Sequence, residues 1–474
     1  MVAQETRMGT AGAIDEDAIA VLQEYIRGEV LTPSHPGYEA ARAVQNGLIT
    51  RRPGAIVRCA GVADVVEVVN LARDRGVVLS VRGGGHNVAG NALNEGGVVI
   101  DLSGMRGVHV DPAVRTARAQ GGATWGDVDR ETQVFGLATP GGVISTTGIG
   151  GLTLHGGWGW LRRKHGYSLD NLLSVEVVTA DGQVRTASAT EHPDLFWAVR
   201  GAGSNFGVVT SFEFALHPVG PMVALCAPAY ALEDAATVLP AWRDFMANAP
   251  DEVSGNVLFW SVPPAEIFPA ELHGRPIVIL ASVYSGDAET GMQVLQPLRA
   301  LGTPLLDLSG IEPYTVLQSS FDWAVPKGGL YYWKSLYLNG LDDDAIGAIV
   351  QVAADRPTPE SLVELWGLGG APSRVAPGET AFGRRDAPFL LSLATCWSDP
   401  ALTDGCIDWT RRTWAAMRRF SDGGLYLNFA GFGEEKEALL RAGYGANYDR
   451  LATLKRTYDP GNLFRMNLNI KPAS

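Results

Sequence analysis

The segment VRGGGHN, residues 81–87, decides how this chain folds. Its three consecutive glycines permit positive φ angles and a close approach to a ligand, and their N–H groups can form a nest that binds an anion. The residues before it, 77–81, predict a short buried strand. Arg82 adds a positive charge, and His86 places an imidazole directly after the turn. These features predict a turn that holds a diphosphate beside a reactive ring, and the alternative is a glycine turn with a surface histidine.

The bulk composition limits the kind of protein. A chain of 474 residues is longer than one compact core usually holds, so we expect two domains. Hydrophobic residues make up 46% and charged residues 19%, which is typical of a globular protein and argues against disorder. The net charge of −13 and the lack of a basic cluster argue against nucleic acid and anionic membranes as partners.

Other global features concern the compartment. Residues 1–17 include acidic side chains and no apolar core, so they do not predict a signal peptide, and no apolar run predicts a membrane span. The cysteines are scattered without metal-binding spacing, at positions Cys59, Cys226, Cys396 and Cys406. We therefore expect a cytoplasmic protein with reduced thiols and no metal site. Length and charge do not indicate an oligomeric state.

The first part of the chain predicts a strand–helix–strand unit. Apolar spacing predicts a helix over 15–30, a strand over 56–59 and a helix after Gly61 that leads to the strand 77–81. The glycines follow the second strand, whereas a Rossmann fingerprint opens the helix after the first. The pattern therefore argues against a nicotinamide site of the Rossmann type.

Two further glycine-dense segments follow. They are residues 141–160, which end in a basic stretch, and residues 200–207. Closely spaced glycines of this kind indicate backbone that lies against a flat ligand. Between them, residues 175–187 predict a β-hairpin, and a strand over 208–215 precedes a domain boundary after Pro218.

Residues 222–422 have a different pattern. Glycine becomes rarer, and predicted helices over 234–248, 342–354 and 408–419 alternate with aromatic-rich strands. Residues 277–285, 331–338 and 388–397 predict strands of one sheet, which is typical of a lid or substrate domain. A helix is predicted to begin at Tyr444.

Three motifs together resemble one family. RGGGHN at 82–87, RGAGSNFGVV at 200–209 and YDPGNLF at 458–464 resemble the FAD-linked oxidases of the vanillyl-alcohol-oxidase fold, in particular the berberine-bridge-enzyme-like group. Each motif alone is weak, and their order and separation carry the resemblance. It implies an α+β fold with a two-subdomain FAD-binding domain, residues 1–218 completed by 422–474. Residues 219–421 would form a substrate domain, an antiparallel sheet backed by helices that covers the flavin ring.

The resemblance also implies a covalent flavin. In the family, the histidine that matches His86 is bonded to the 8-methyl carbon of the flavin, and a neutral imidazole is a competent nucleophile. Many relatives carry a second link from a cysteine, but Ile144 occupies that position here. We therefore expect FAD held through His86 alone. Thr147 stands at the position that helps to decide oxygen access in relatives, and His155 replaces a glycine that is usual in the family.

A catalytic base is expected near the substrate. Family members transfer a hydride from a carbon bearing OH or NH to flavin N5, so the proton of the heteroatom must leave as well. The segment GLYLNF at 424–429 matches the family segment whose first tyrosine accepts this proton. Tyr426 is therefore the candidate catalytic base. A tyrosine normally has a pKa of about 10, so Tyr426 needs a nearby cation or strong hydrogen bonds to act as a phenolate. Lys334 is the candidate cation. The alternative for Tyr426 is a packed tyrosine in a strand.

The remaining site residues follow from the same resemblance. Cofactor contacts are expected from Arg82, Gly83, Gly84, Gly85, His86, Asn87, Thr146, Thr147, Gly148, Gly151, Gly156, Gly157, Asn205, Gly207, Val208, Val209, Asn467 and Asn469. Substrate contacts are expected from Tyr332, Ser392, Trp397 and Asn428. Ser392 faces the flavin if strand alternation holds. The alternative role of Asn205 and Asn469 is to cap a helix or turn. The alternative for Tyr332 and Trp397 is a position in the core.

The predicted function is an FAD-dependent oxidoreductase that oxidises an alcohol or amine carbon and is reoxidised by O₂. The expected substrate is a small molecule that is aromatic, sugar-like or a secondary metabolite. One alternative is a flavin dehydrogenase with another electron acceptor, and another is a flavin- or drug-binding protein without turnover. A nicotinamide-dependent reductase on the same FAD fold is a third, although that class does not tether its flavin through a histidine.

Overall fold

The first sheet is built around the strand that precedes the triple glycine. In the computed structural model, which describes residues 12–433 and 437–474, this sheet has the order β1-β2-β4-β3. Its strands are β1 (Glu29–Leu31), β2 (Ala55–Arg58), β3 (Leu79–Arg82) and β4 (Val98–Asp101). Strand β4 lies between β2 and β3 and is parallel to both, so the predicted strand–helix–strand unit is split by a third strand. Helices α1 (Glu16–Tyr25), α2 (Tyr38–Arg42) and α3 (Val62–Arg75) complete this part.

The helix predicted over 15–30 is too long. It ends at Tyr25, and Val30 instead belongs to β1, where it pairs with Val57. The reason lies in Asp64 of α3, whose carboxylate accepts the backbone N–H groups of Arg27 and Gly28 at 2.9 and 3.0 Å. This contact holds the chain in a turn where a helix would otherwise continue.

The second sheet is antiparallel, with the order β5-β6-β10-β8-β9. Its strands are β5 (Val108–Asp111), β6 (Thr116–Gln120), β8 (Leu172–Val178), β9 (Val184–Ser188) and β10 (Val208–Ala215), while β7 (Leu137–Ala138) pairs with β11 (His217–Pro218). The predicted hairpin is confirmed by the pairing of β8 with β9. The helices here are α4 (Trp125–Gln133), α5 (Ile149–Thr153), α6 (Arg162–His165) and α7 (Pro193–Ala202).

The third sheet has nine strands, all antiparallel. They are β12 (Met222–Cys226), β13 (Pro228–Ala231), β14 (Val253–Ser261), β15 (Pro276–Tyr284), β16 (Leu306–Asp307), β17 (Gly310–Pro313), β18 (Leu330–Leu338), β19 (Leu362–Gly367) and β20 (Phe389–Trp397). The three strands predicted for one sheet correspond to β15, β18 and β20, which confirms that prediction. The helices are α8 (Ala235–Asn248), α9 (Ala288–Arg299), α10 (Tyr314–Ser319), α11 (Asp343–Ala354), α12 (Ala371–Arg374) and α13 (Thr403–Met417).

The two faces of this sheet have different roles. Val257, Val363 and Leu391 point to one face, where they join a core with helices α8, α11 and α13. Because side chains alternate along a strand, their neighbours point to the other face, toward the glycine segments. Leu390 and Trp366 lie there in one cluster with Trp158. The predicted α+β class with a helix-backed antiparallel sheet is confirmed.

The C-terminal segment returns to the first part of the chain. Helices α14 (Glu437–Tyr444) and α15 (Tyr448–Tyr458) lie on either side of the point where one helix was predicted to begin. The ammonium of Lys455 is fully buried and donates to Asp459 at 2.6 Å, to the carbonyl of Asn205 at 2.7 Å and to that of Phe464 at 2.9 Å. This contact joins the YDPGNLF motif to the third glycine segment.

No helix within residues 12–433 and 437–474 combines the length and the apolar composition that a membrane crossing would require.

Candidate active site

A cavity of about 300 Å³ lies between the glycine segments and the third sheet. One wall is formed by the glycine segments, including Gly84, His86, Gly148, Gly151 and Leu152. The facing wall is formed by the third sheet, including Asn256, Leu258, Trp333, Glu364, Trp366 and Ala394. Tyr426 and Asn467 enter from the C-terminal part of the chain.

The predicted cofactor residues divide into two groups. Those that line the cavity are Gly83, Gly84, Gly85, His86, Asn87, Thr147, Gly148, Gly151 and Asn467. Those that lie outside its lining are Arg82, Thr146, Gly156, Gly157, Asn205, Gly207, Val208, Val209 and Asn469. The first group includes the triple glycine and the turn around Gly148, which are 60 or more residues apart in the sequence.

The triple glycine presents unused hydrogen-bond donors. Within the described part of the chain, the backbone N–H groups of residues 83–86 donate to no protein acceptor. The turn also touches the second glycine segment, because a Cβ atom at Gly84 would lie 2.3 Å from the backbone nitrogen of Gly148. A Cβ at Gly151 would meet no protein atom within 4 Å, so that position borders open space in the cavity. Only glycine permits this contact between the two walls.

Arg82 has a different position from the one expected. Its guanidinium is buried and donates to the carbonyl groups of Ala41 and Ala43, so it points away from the cavity. It therefore supports the glycine turn from behind. Positive charge comes instead from Lys327, on the loop after α10, whose ammonium acts electrostatically on His86.

His86 is placed between two hydroxyl groups. Its Nε2 lies 2.9 Å from Oγ1 of Thr146, and its Nδ1 lies 3.4 Å from Oγ1 of Thr147. Burial and the charge of Lys327 lower the pKa of His86 to about 4. The imidazole is therefore neutral at physiological pH, which is the nucleophilic form. Thr146 contacts the histidine from outside the cavity lining, and Thr147 contacts it from within.

Gly156 and Gly157 pack against protein side chains. A Cβ at Gly156 would lie 2.8 Å from the ring of Phe382, and one at Gly157 would lie 2.4 Å from the hydroxyl of Ser168. Neither glycine lines the cavity, and a contact of these two residues with the cofactor stays a prediction. Their absent side chains make room for neighbouring residues, among them the ring of Tyr426.

Tyr426 is buried beside the cavity and accepts two hydrogen bonds. The backbone N–H of Gly157 donates to its phenolic oxygen at 3.0 Å, and Nδ2 of Asn428 donates at 2.9 Å. Its ring stacks on Trp158 with centroids 3.6 Å apart. Burial raises the pKa of Tyr426 to about 12, and the two donors oppose this rise. Tyr426 is not in a strand, since a short 3₁₀ helix (Leu427–Phe429) follows it directly.

Lys334 does not approach Tyr426. Strand β18 alternates, so Tyr331 and Trp333 face the cavity while Lys334 points to the helical side of the sheet. There its ammonium lies 4.0 Å from the centroid of the Trp414 ring on α13. The predicted pairing is therefore wrong, and the backbone of Gly157 and the Asn428 amide supply the polar contacts instead.

The predicted substrate residues are divided between the two faces of the sheet. Tyr332 and Trp397 point to the helical side, where Tyr332 accepts a hydrogen bond from Arg411 at 3.0 Å. They do not line the cavity, so a direct substrate contact from them is excluded in this geometry. Asn428 lines it, and Ser392 lies on the expected face but is buried beside Glu364.

The third glycine segment and the last asparagines organise the backbone. Asn205 is fully buried and accepts the N–H of Ile470 at 2.9 Å, while Gly207, Val208 and Val209 pack against or within β10. Asn467 donates to the carbonyl of Ser204 at 2.7 Å. The buried amide oxygens of Asn467 and Asn469 have no donor within the described residues, which leaves Asn467 with an acceptor for a ligand in the cavity.

Residues that the sequence analysis missed are Glu364 and Asn256. Burial raises the pKa of Glu364 to about 7, and the neighbouring Ser392 and Trp366 oppose this rise. Glu364 faces the cavity from β19, next to Trp366. A signal was present, because LVELWG at 362–367 alternates and places a carboxylate among apolar residues. Such alternation predicts a strand with Glu364 on the same face as Trp366.

Comparison with known proteins agrees with this arrangement. Residues 53–188 match the family model described as FAD binding domain, and residues 426–471 match that described as berberine and berberine like. The chain is 33% identical over 462 residues to (R)-6-hydroxynicotine oxidase of Paenarthrobacter nicotinovorans, which covers 94% of this chain and 97% of that protein.

Solved structures show the same likeness. The crystal structure of 6-hydroxy-D-nicotine oxidase from Arthrobacter nicotinovorans superposes with a TM-score of 0.84 at 32% identity, covering 94% of this chain and 98% of that one. Xylooligosaccharide oxidase from Myceliophthora thermophila, in complex with xylobiose, superposes with a TM-score of 0.84 at 27% identity, covering 96% of this chain and 100% of that one.

Proposed function

The chain belongs to the berberine-bridge-enzyme-like family of FAD-linked oxidoreductases, which act on CH–OH or CH–NH groups, and we propose that it works with a flavin tethered to His86 and with Tyr426 at the reacting carbon. One observation carries the proposal. The same cavity contains a nest of unused N–H groups, a neutral imidazole, and a phenol that accepts two hydrogen bonds.

The residues present fit FAD. The unused N–H groups of residues 83–86 suit a diphosphate, since successive backbone N–H groups bind anions. The unpaired amide oxygen of Asn467 and the open space at Gly151 suit a flat ring with N–H groups at its edge. His86 supports a covalent link because its imidazole is neutral, and no cysteine lies between Cys59 and Cys226 to supply a second link.

When it is bound, FAD supplies an acceptor for a hydride. Tyr426 then has the task of accepting the proton from the substrate oxygen or nitrogen. Gly157 and Asn428 both direct N–H groups at its phenolic oxygen, and such donors favour the ionised form. The stacked Trp158 fixes the plane of the ring and excludes water from one face.

A second proton acceptor is required, because a phenol with a pKa of about 12 is protonated at neutral pH. Glu364 lines the same cavity, and its pKa of about 7 leaves it partly ionised under these conditions. We assign Glu364 the role of a second proton acceptor that lines the same cavity as Tyr426.

Three further elements belong to the proposal. Residues 1–218 with 422–474 would form the FAD-binding part and residues 219–421 the substrate part, which is supported by the packing of Leu425 and Tyr444 with Trp125 in one core. Reoxidation by O₂ is supported by the two oxidases named above. A cytoplasmic location is supported by the four free cysteines.

The test is anaerobic reduction of the flavin by a panel of alcohols and amines, followed by admission of air. Bleaching by at least one compound supports the proposal, and rapid return of the colour supports O₂ as the acceptor. Slow return that a dye accelerates would indicate a dehydrogenase. Bound flavin that no compound reduces would indicate a flavin-binding protein, and bleaching by NADPH would indicate a nicotinamide-dependent reductase.

A further inference from the structure

Arg162 is a buried cation that connects the second glycine segment to the third sheet. Its side chain is fully buried. It donates to the carbonyl groups of Gly159, Gly255 and Gly367 at 2.7–3.0 Å, and to Oδ1 of Asn256 at 2.6 Å. Its guanidinium also lies 5.3 Å from the centroid of the Trp366 ring. All its described hydrogen-bond partners are neutral oxygens.

This contact fixes the orientation of the Asn256 amide. A guanidinium carries only donors, so the group that faces Arg162 must be the amide oxygen, and the NH₂ group points elsewhere. Asn256 lines the cavity, and its Nδ2 donates to no acceptor in residues 12–433 and 437–474. Arg162 therefore leaves Asn256 as a hydrogen-bond donor for whatever binds in the cavity.

Several other polar groups on the substrate side are already engaged. The hydroxyl of Tyr331 donates to the carbonyl of Pro326 at 2.6 Å, and the thiol of Cys396 donates to the carbonyl of Glu360 at 2.9 Å. The NH₂ group of Asn428 donates to Leu152 and to Tyr426. The remaining surface consists mainly of aliphatic and aromatic side chains, among them Leu258, Trp260, Phe321, Trp333, Leu362 and Trp366. Besides Asn256, the indole N–H groups of Trp160 and Trp333 have no acceptor within the described residues.

Such a wall suits a ligand with few polar groups. A hydroxyl group that leaves water without finding a partner weakens binding, and an oligosaccharide would bury many of them. An aromatic ring, in contrast, gains from burial against aromatic side chains. The surface therefore favours an aromatic compound over a sugar, which are two substrate classes that the sequence left open.

We propose that Asn256, oriented by Arg162, determines specificity, and that the substrate is a mainly apolar ring compound with a hydrogen-bond acceptor that meets the Asn256 amide. Glu364 lies diagonally opposite Asn256 on the neighbouring strand and provides the complementary contact to a donor on the same substrate. This inference rests on the proposed function, since it concerns the substrate of the same site.

The first experiment compares non-oxidisable ligands on the FAD-loaded enzyme. Acetophenone has a ring with one acceptor, ethylbenzene has the same ring without it, and xylobiose represents a sugar. Binding is measured from the change in the flavin absorption spectrum, so no turnover is needed. We expect acetophenone to bind about tenfold more tightly than ethylbenzene, and xylobiose to bind more weakly than either. Equal binding of the two ring compounds, no response to acetophenone, or tighter binding of xylobiose would overturn the proposal.

The second experiment uses Asn256→Asp. The aspartate retains an oxygen for Arg162 but replaces the donor in the cavity by an acceptor, so the preference for acetophenone should fall to about one. The control is Asn248→Asp on the exposed end of α8, which should retain the preference. An unchanged preference in Asn256→Asp, with unfolding like that of the parent, would contradict the role of Asn256. If this variant does not fold, the ligand comparison on the parent enzyme still decides the proposal.

The outcomes separate this inference from the proposed function. A preference for acetophenone without flavin reduction by any alcohol or amine would retain the specificity and reject the oxidation. Flavin reduction without a preference for acetophenone would retain the oxidation and reject the specificity.

Discussion

The phenolic oxygen of Tyr426 accepts a hydrogen bond from the backbone N–H of Gly157 at 3.0 Å. Gly157 has a φ of +80°, a region that favours glycine, and a Cβ there would also collide with Ser168. The glycine is therefore required for the conformation that aims this N–H at the phenol. The second glycine segment thus contributes a wall to the cavity and a donor to its catalytic candidate.

Replacing Tyr426 by phenylalanine removes the proton acceptor and leaves the ring stacked on Trp158. We expect the rate of flavin reduction to fall by about 10²–10⁴ with FAD still bound. Anaerobic stopped-flow absorbance with a substrate found in the panel measures this rate. The control is Tyr444→Phe, a buried tyrosine outside the cavity lining, which should reduce at the parent rate. A parental rate in Tyr426→Phe would remove this residue from the mechanism.

Replacing Glu364 by glutamine tests the pH dependence. The pKa of Glu364 is raised to about 7, so the carboxylate becomes available as a proton acceptor only as the pH rises through that value. We expect the rate of flavin reduction to rise through pH 7 in the parent, and this limb to disappear in Glu364→Gln. The control is Asp129→Asn, because Asp129 is also buried with a pKa raised to about 7 but lies outside the cavity lining. If Asp129→Asn alone removed the limb, the assignment to Glu364 would be wrong.

Replacing His86 by alanine tests the tether. In the parent, acid-precipitated protein should stay yellow and its band on a denaturing gel should fluoresce. In His86→Ala the flavin should be released, and the lower potential expected of an untethered flavin should slow its reduction. His109→Ala, at an exposed position of β5, should retain the colour. A colourless pellet from the parent enzyme would contradict the covalent link.

Local pattern was sufficient to find the elements that hold the site. The triple glycine and the second glycine segment were recognised because tight turns and close backbone approach need glycine, and the YDPGNLF motif was recognised from the family resemblance. Strands β15, β18 and β20 were recognised from apolar runs of the right length. The walls of the cavity could therefore be predicted, and the family resemblance proposed His86 and Tyr426, which the structure places at these walls.

Alternation shows which residues share a face, but it does not show which of the two faces of a strand meets the cavity. A shift of one residue moves a side chain to the other side of the sheet, which separates Lys334 and Tyr332 from the cavity and places Glu364 in it. The role of Arg82 depends on the carbonyl groups of Ala41 and Ala43, about 40 residues away, and no local pattern reports such a contact. Long-range contacts therefore decide which basic side chain lies near the cavity.

Replacing Lys455 by methionine tests how the C-terminal motif supports the cavity. Lys455 and Asp459 form a fully buried ion pair, and Asp459 also accepts the backbone N–H groups of Leu463 and Phe464 at 2.7 and 2.9 Å. Removing one partner leaves an uncompensated buried charge, which costs about 3–5 kcal/mol in the free energy of unfolding. We therefore expect a clear fall in the thermal unfolding midpoint, measured by calorimetry.

The same substitution should loosen the third glycine segment, because Lys455 also holds the carbonyl of Asn205. A useful comparison is Arg412→Met, which breaks the Arg412–Asp408 pair with the same i,i+4 spacing on an exposed surface of α13. Exposed pairs contribute little, so this variant should unfold like the parent. The double variant Lys455→Met/Asp459→Asn should recover part of the loss because no charge is left buried. Equal midpoints for Lys455→Met and Arg412→Met would show that the buried pair does not hold the C-terminal motif in place.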